Sequence, residues 1–77
     1  MMRVRFFAAA AEAAGTDAAD RSEPTLDALR AALVHDHPDL GTVLPRCAVL
    51  VDGVRADADV PLSAASVVDV LPPFAGG

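Results

Sequence analysis

Residues 24–38, Pro24-Thr25-Leu26-Asp27-Ala28-Leu29-Arg30-Ala31-Ala32-Leu33-Val34-His35-Asp36-His37-Pro38, carry the clearest helical pattern in the chain. Thr25 can cap the free backbone N–H groups of a first turn, and Asp27 puts negative charge where the helix dipole favours it. Leu26, Leu29, Ala32 and Leu33 recur on one face, so the helix has an apolar stripe that must pack on something. Pro38 biases His37 away from helical geometry and closes the segment. The flanking sequence supplies the packing surface, because it reads mainly as strands.

Towards the N-terminus, Arg3 to Ala8 alternates as a strand does, with Val4, Phe6 and Ala8 on one face. Ala8 to Ala14 changes character: alanine is the best helix former, and Gly15 stands where a left-handed helix cap belongs, so a short helical turn is expected. Thr16 to Glu23 has little hydrophobic pattern and fits either a poor edge strand or a loop. Towards the C-terminus, Asp39 to Arg46 reads as a looser stretch. Cys47-Ala48-Val49-Leu50-Val51 reads as a strand, and Asp52-Gly53 is a hairpin-turn signal into Val54-Arg55-Ala56. After a polar stretch, Val67-Val68-Asp69-Val70-Leu71 is the last strand, ended by Pro72-Pro73, since neither proline can donate to a ladder. This order predicts an α+β domain, a mixed sheet with one main helix packed on one face. Each fully buried Leu, Val or Phe contributes ~1.5–3 kcal/mol by transfer, and roughly a dozen are available, enough for a marginally stable fold.

Composition narrows the function classes. The 77 residues make one small domain, and a chain of this size buries only ~60% of its unfolded surface, leaving little room for a deep catalytic cleft. A hydrophobic content of 53% excludes disorder, yet no uninterrupted apolar run approaches the ~20 residues of a membrane span. Met1-Met2-Arg3-Val4-Arg5 passes straight into strand-like sequence with no signal-peptide core. A single cysteine rules out an internal disulfide framework, so a cytoplasmic location is expected. The net charge of −5 argues against nucleic acid as a partner. Alanine occurs 17 times while Ile, Lys, Asn, Gln, Tyr and Trp are absent, a pattern of coding bias rather than of function.

Side-chain chemistry is sparse. Cys47 stands in apolar sequence with no neighbouring base or cation, as a small hydrophobe rather than a nucleophile. His35 and His37 lie two apart near a helix end and do not share a face as paired metal ligands should. Asp52, Asp57 and Asp59 do not match the spacing of a calcium loop, and no glutamate closes one. No glycine-rich phosphate loop and no aromatic-basic patch is present. The residues supply no self-contained active site and no metal site.

The ending Leu71-Pro72-Pro73-Phe74-Ala75-Gly76-Gly77 differs in kind. Prolines extend a chain semi-rigidly and carry it away from the body. Glycines let a backbone pass through a channel too narrow for any Cβ. The group so delivered is an unhindered carboxylate on Gly77. Residues 1–71 are therefore expected to form the domain and residues 72–77 an extended tail.

Phe6-Phe7-Ala8, Gly15-Thr16, Val51-Asp52-Gly53 and the ending Leu-Pro-Pro-Phe-Ala-Gly-Gly together resemble the small subunit of molybdopterin synthase, a branch of the ubiquitin-like sulfur carriers with a β-grasp fold. The resemblance spans essentially the whole chain. Ser63-Ala64-Ala65-Ser66 departs from it, standing where that branch usually has an acidic, glycine-containing loop.

The resemblance implies a function in molybdenum cofactor biosynthesis. An adenylating enzyme related to ubiquitin-activating enzymes would use ATP on the carboxylate of Gly77. A sulfur donor protein would then displace AMP and leave a thiocarboxylate. The tail would enter the large subunit of a heterotetrameric synthase and deliver sulfur to a pyranopterin, forming its dithiolene. Gly77 would bear the sulfur and Gly76 would permit passage. The chain would bind no cofactor and would not be catalytic alone; the catalytic side chains belong to partners. Phe74, Ala75, Pro73, Leu71, Val67 and Phe7 would touch the partner. Strand alternation predicts the part of this surface outside the tail, since Val4, Phe6, Val68 and Val70 turn towards the helix while Phe7, Val67 and Leu71 turn away, beside Arg3, Arg5 and Asp69. A sulfur carrier for thiamin or cysteine synthesis, and a ubiquitin-like protein modifier, are the alternatives that share this fold and ending. A plain interaction domain without terminal chemistry is a further one.

Overall fold

A computed structural model describes residues 1–73. Among them, five strands form one mixed sheet: β1 (Met2–Phe6), β2 (Ala18–Arg21), β3 (Ala48–Val51), β4 (Val54–Arg55) and β5 (Val67–Leu71), in the order β2-β1-β5-β3-β4. The first and last strands run parallel at its centre, Val4 opposite Val68 and Phe6 opposite Val70, and the other pairings are antiparallel. Helices α1 (Ala9–Ala14), α2 (Leu26–Asp36) and α3 (Leu40–Val43) complete the chain, α3 running into a 3-10 turn at Leu44–Arg46. This is the predicted α+β, β-grasp arrangement.

Local chemistry accounts for most element ends. The Thr25 hydroxyl accepts from the backbone N–H of Ala28 at 3.2 Å, capping α2. Its Leu26, Leu29 and Leu33 are buried against Val4, Phe6, Val49, Val68 and Val70 of the sheet. Replacing Thr25 by Ala leaves one of the first-turn donors without its partner. The expected loss is ~1 kcal/mol, seen as a lower urea midpoint with unchanged slope. Gly15 closes α1 at φ 72°, its N–H donating to the carbonyl of Ala11. Asp52 and Gly53 both have positive φ, 50° and 82°, as a two-residue hairpin turn requires.

Several expectations are corrected. Ala8 is not part of β1: the strand ends at Phe6, and Ala8 is exposed with φ 49°. Of the two readings open for residues 16–23, the edge strand holds: β2 (Ala18–Arg21) lies beside β1, with Arg3 opposite Asp20. The supposedly loose residues 39–46 are helical, and Leu40 and Leu44 are core residues, Leu40 with no exposure. Their two apolar side chains lie four apart, too short a pattern to announce a helix by itself. Cys47 precedes β3 rather than starting it, and the hairpin's second strand stops at Arg55. The polar stretch after the hairpin is tied to the start of α2: Asp59 accepts from the N–H of Asp27 at 2.8 Å, and Leu26 donates to the carbonyl of Val60 at 2.9 Å. The Ser63-to-Ser66 segment is a closed turn, with Ser66 Oγ accepting from the Ser63 N–H at 3.0 Å.

Candidate docking face and tail

Alternation along β1 and β5 gives the sheet a second face that α2 does not cover. Arg3 and Arg5 project there from β1, opposite Val67 and Asp69 of β5, and β3 adds Ala48 opposite Leu71 and Leu50 opposite Asp69. Val67, Leu71 and Leu50 are half-buried. Phe7, the residue after β1, is held to β5 by its N–H donating to the carbonyl of Val70 at 3.2 Å. It is 41% exposed, one of the few large apolar side chains left in solvent. Phe7 and Arg5 also line a shallow hollow of about 420 Å³ with Ala18. The register thus puts Phe7 beside Leu71, with Val67 farther along the same face of β5 opposite Arg3, and Leu71 leads directly to Pro72 and the exposed Pro73. Phe74, Ala75, Gly76 and Gly77 lie outside the described residues.

Asp69 departs from the expected solvent-facing position. It is only 8% exposed because the Arg5 guanidinium lies over it, Nε at 2.5 Å and one Nη at 2.8 Å from its two carboxylate oxygens. These hydrogen bonds, and then the negative charge of Asp69, raise the pKa of Arg5 above its already high ordinary value. The sequence signal was present, since opposite charges occupy corresponding positions on two strands, but it is readable only once those strands are known to be neighbours.

Where β1 meets α1, Ala8 holds a conformation that a residue with a Cβ rarely adopts, φ 49° and ψ −125°. Such strain costs on the order of 1–3 kcal/mol and tends to gather at functional sites. It reverses the chain immediately after Phe7. On the helical side, Pro72 and Pro73 border a second hollow of about 300 Å³, shared with Ala9, Thr42, Val43 and Arg46.

The remaining candidates stay structural. The Cys47 thiol is half-buried and donates to the carbonyl of Val43 at 3.2 Å, and burial pushes its pKa up, away from nucleophilic use. The His35 ring sits 3.3 Å from Asp36 in solvent. Asp57 pairs with Arg55, while Asp52 accepts from the N–H of Val67. Among the described residues no group of three or more His, Cys, Asp or Glu side chains could hold a metal ion, and no helix is long and apolar enough to cross a membrane.

Comparison with known proteins agrees with this geometry. Residues 4–77 match the ThiS family. Small archaeal modifier protein 1 (SAMP1) of Haloferax volcanii is 29% identical, with a TM-score of 0.80 over 99% of this chain and 98% of that one. In Helicobacter pylori, a complex of subunits 1 and 2 of molybdopterin-converting factor contains a chain 27% identical, with a TM-score of 0.76 over 99% and 97%. SAMP1 of Methanosarcina acetivorans, 22% identical, shares the fold at a TM-score of 0.87 over 99% and 95%. No curated protein matches the sequence itself.

Proposed function

Because the chain belongs to the ThiS family, we propose that it is the sulfur-carrier subunit of a molybdopterin synthase, its sulfur borne as a thiocarboxylate on Gly77. The observation that carries this reading is the family match itself, which spans residues 4–77 and so takes in the Pro-Pro-Phe-Ala-Gly-Gly segment. The Helicobacter protein, held in a complex of converting-factor subunits 1 and 2, supports a large-subunit partner. A carboxylate is a poor electrophile, so an adenylating enzyme spends ATP to attach AMP to Gly77, and a sulfur donor protein supplies the sulfur that displaces it. Gly76 passes the partner's channel because it has no Cβ. Phe7, Val67 and Leu71, continued by Pro73, Phe74 and Ala75, seat the chain on the large subunit.

Intact-mass measurement of the natively expressed protein, looking for one terminal oxygen replaced by sulfur, tests the chemistry. Incubation of that species with the large subunit and pyranopterin substrate tests the pathway: dithiolene product is expected, and its absence would sink the assignment. Phe7→Ala should weaken binding to the large subunit by ~1–3 kcal/mol, because exposed aromatic anchors dominate such interfaces. A titration showing unchanged affinity would remove Phe7 from the docking face. The likeness to SAMP1 favours a second reading, a protein modifier joined through the same terminus to lysines of other proteins. Adducts on lysine side chains in cell extract would select it.

A further inference from the structure

We infer that Arg5 selects the docking partner, by requiring a carboxylate from it between the guanidinium groups of Arg5 and Arg3. The inference rests on the docking face proposed above and specifies its chemistry. Arg5 has one satisfied edge and one open edge. Nε and one Nη hold Asp69, while the other Nη has no hydrogen-bond partner among the described residues. The side chain of Asp69 is 12% exposed and that of Arg5 51%, so the carboxylate lies beneath and the free N–H groups face outward.

What surrounds this pair is apolar: Phe7, Val67, Leu71 and Leu50 share the face with it. A partner that covers those side chains also covers Arg5. Covering guanidinium N–H groups without an acceptor costs more than the apolar contact beside them returns, so a wholly apolar partner surface is disfavoured. A carboxylate accepts two such N–H groups at once and forms the stronger, charge-assisted bonds.

Arg3 makes a carboxylate the better acceptor than a neutral oxygen. It stands two residues from Arg5 on the same face, and its contact with Asp20 is loose, 3.4 Å with both side chains nearly 60% exposed. Exposed pairs of this kind contribute little to stability, so Arg3 exchanges Asp20 for an incoming anion at little cost. In the complex two guanidinium groups then face two carboxylates, Asp69 below and the partner's above. The pair adds selectivity, since a partner lacking the acid meets an uncompensated cation.

The test is titration of the purified large synthase subunit with the full chain, at low and high salt. Arg5→Leu alone would strand Asp69, so the informative variant is Arg5→Leu with Asp69→Val, which keeps the net charge and leaves an apolar face. We expect it to fold with an undiminished thermal midpoint and to bind about tenfold more weakly, with a flatter salt dependence. Arg3→Gln, on an exposed residue that poses no folding risk, should flatten the salt dependence alone. Wild-type binding that Phe7→Ala weakens but neither arginine variant changes overturns this inference and spares the docking face. Failure of the wild-type chain to bind the large subunit overturns the proposed function, and this inference with it.

Discussion

Deleting Gly77 is expected to abolish sulfur transfer while leaving the thermal midpoint where it was. A chain advances at most ~3.3–3.6 Å per residue, so the deletion retracts the reacting carboxylate by about that distance. Misplacement of reacting groups by only ~1 Å can cost on the order of 10²-fold in rate, which makes the loss complete in any ordinary assay. Residues appended after Gly77 act differently, converting the carboxylate to an amide that cannot be adenylated, with the same outcome. Stability should not follow, because among the described residues the buried core runs from Met2 to Val70. Sulfur transfer by an appended, unprocessed chain would end the carrier reading.

The second large effect is on folding. Leu40→Ala should cost ~2–5 kcal/mol, because Leu40 has no exposure and its loss leaves a cavity among packed neighbours. Natural domains are stable by roughly 0.05–0.15 kcal/mol per residue, or about 4–12 kcal/mol for a chain this long. One truncation therefore removes a large share of the total, and a urea titration at 25 °C should show a markedly lower midpoint. A loss below about 1 kcal/mol would mean that the segment after α2 collapses onto the gap, or was never part of the core.

These two residues also mark how far the amino-acid sequence carries. Gly77 was singled out because the signal is local: two residues without side chains follow a stiff pair of prolines. The same holds for Thr25 at the start of α2, for the Asp52-Gly53 turn, and for Val67–Leu71 bounded by Pro72. Each signal acts within a few residues, through a cap, a torsion angle or a missing N–H. The open-face residues Phe7, Val67 and Leu71 followed from alternation as well, which needs only the neighbouring positions.

Leu40, Leu44, the strand β2 and the pairing of Arg5 with Asp69 were decided elsewhere. Leu40 and Leu44 form too short a pattern to specify a helix, and they become core residues only because α1, α2 and the sheet leave a space that they fill. Ala18–Arg21 has weak strand propensity and extends because β1 offers it an unpaired edge. Arg5 and Asp69 are 64 positions apart, and the parallel pairing of β1 with β5 makes them neighbours. What was legible in the residues themselves was the main helix, its cap, the hairpin turn and the end of the last strand, because those depend on adjacent atoms. Tertiary structure alone decided which distant residues share a surface, because burial and ion pairing are properties of the space between elements and not of the chain within them.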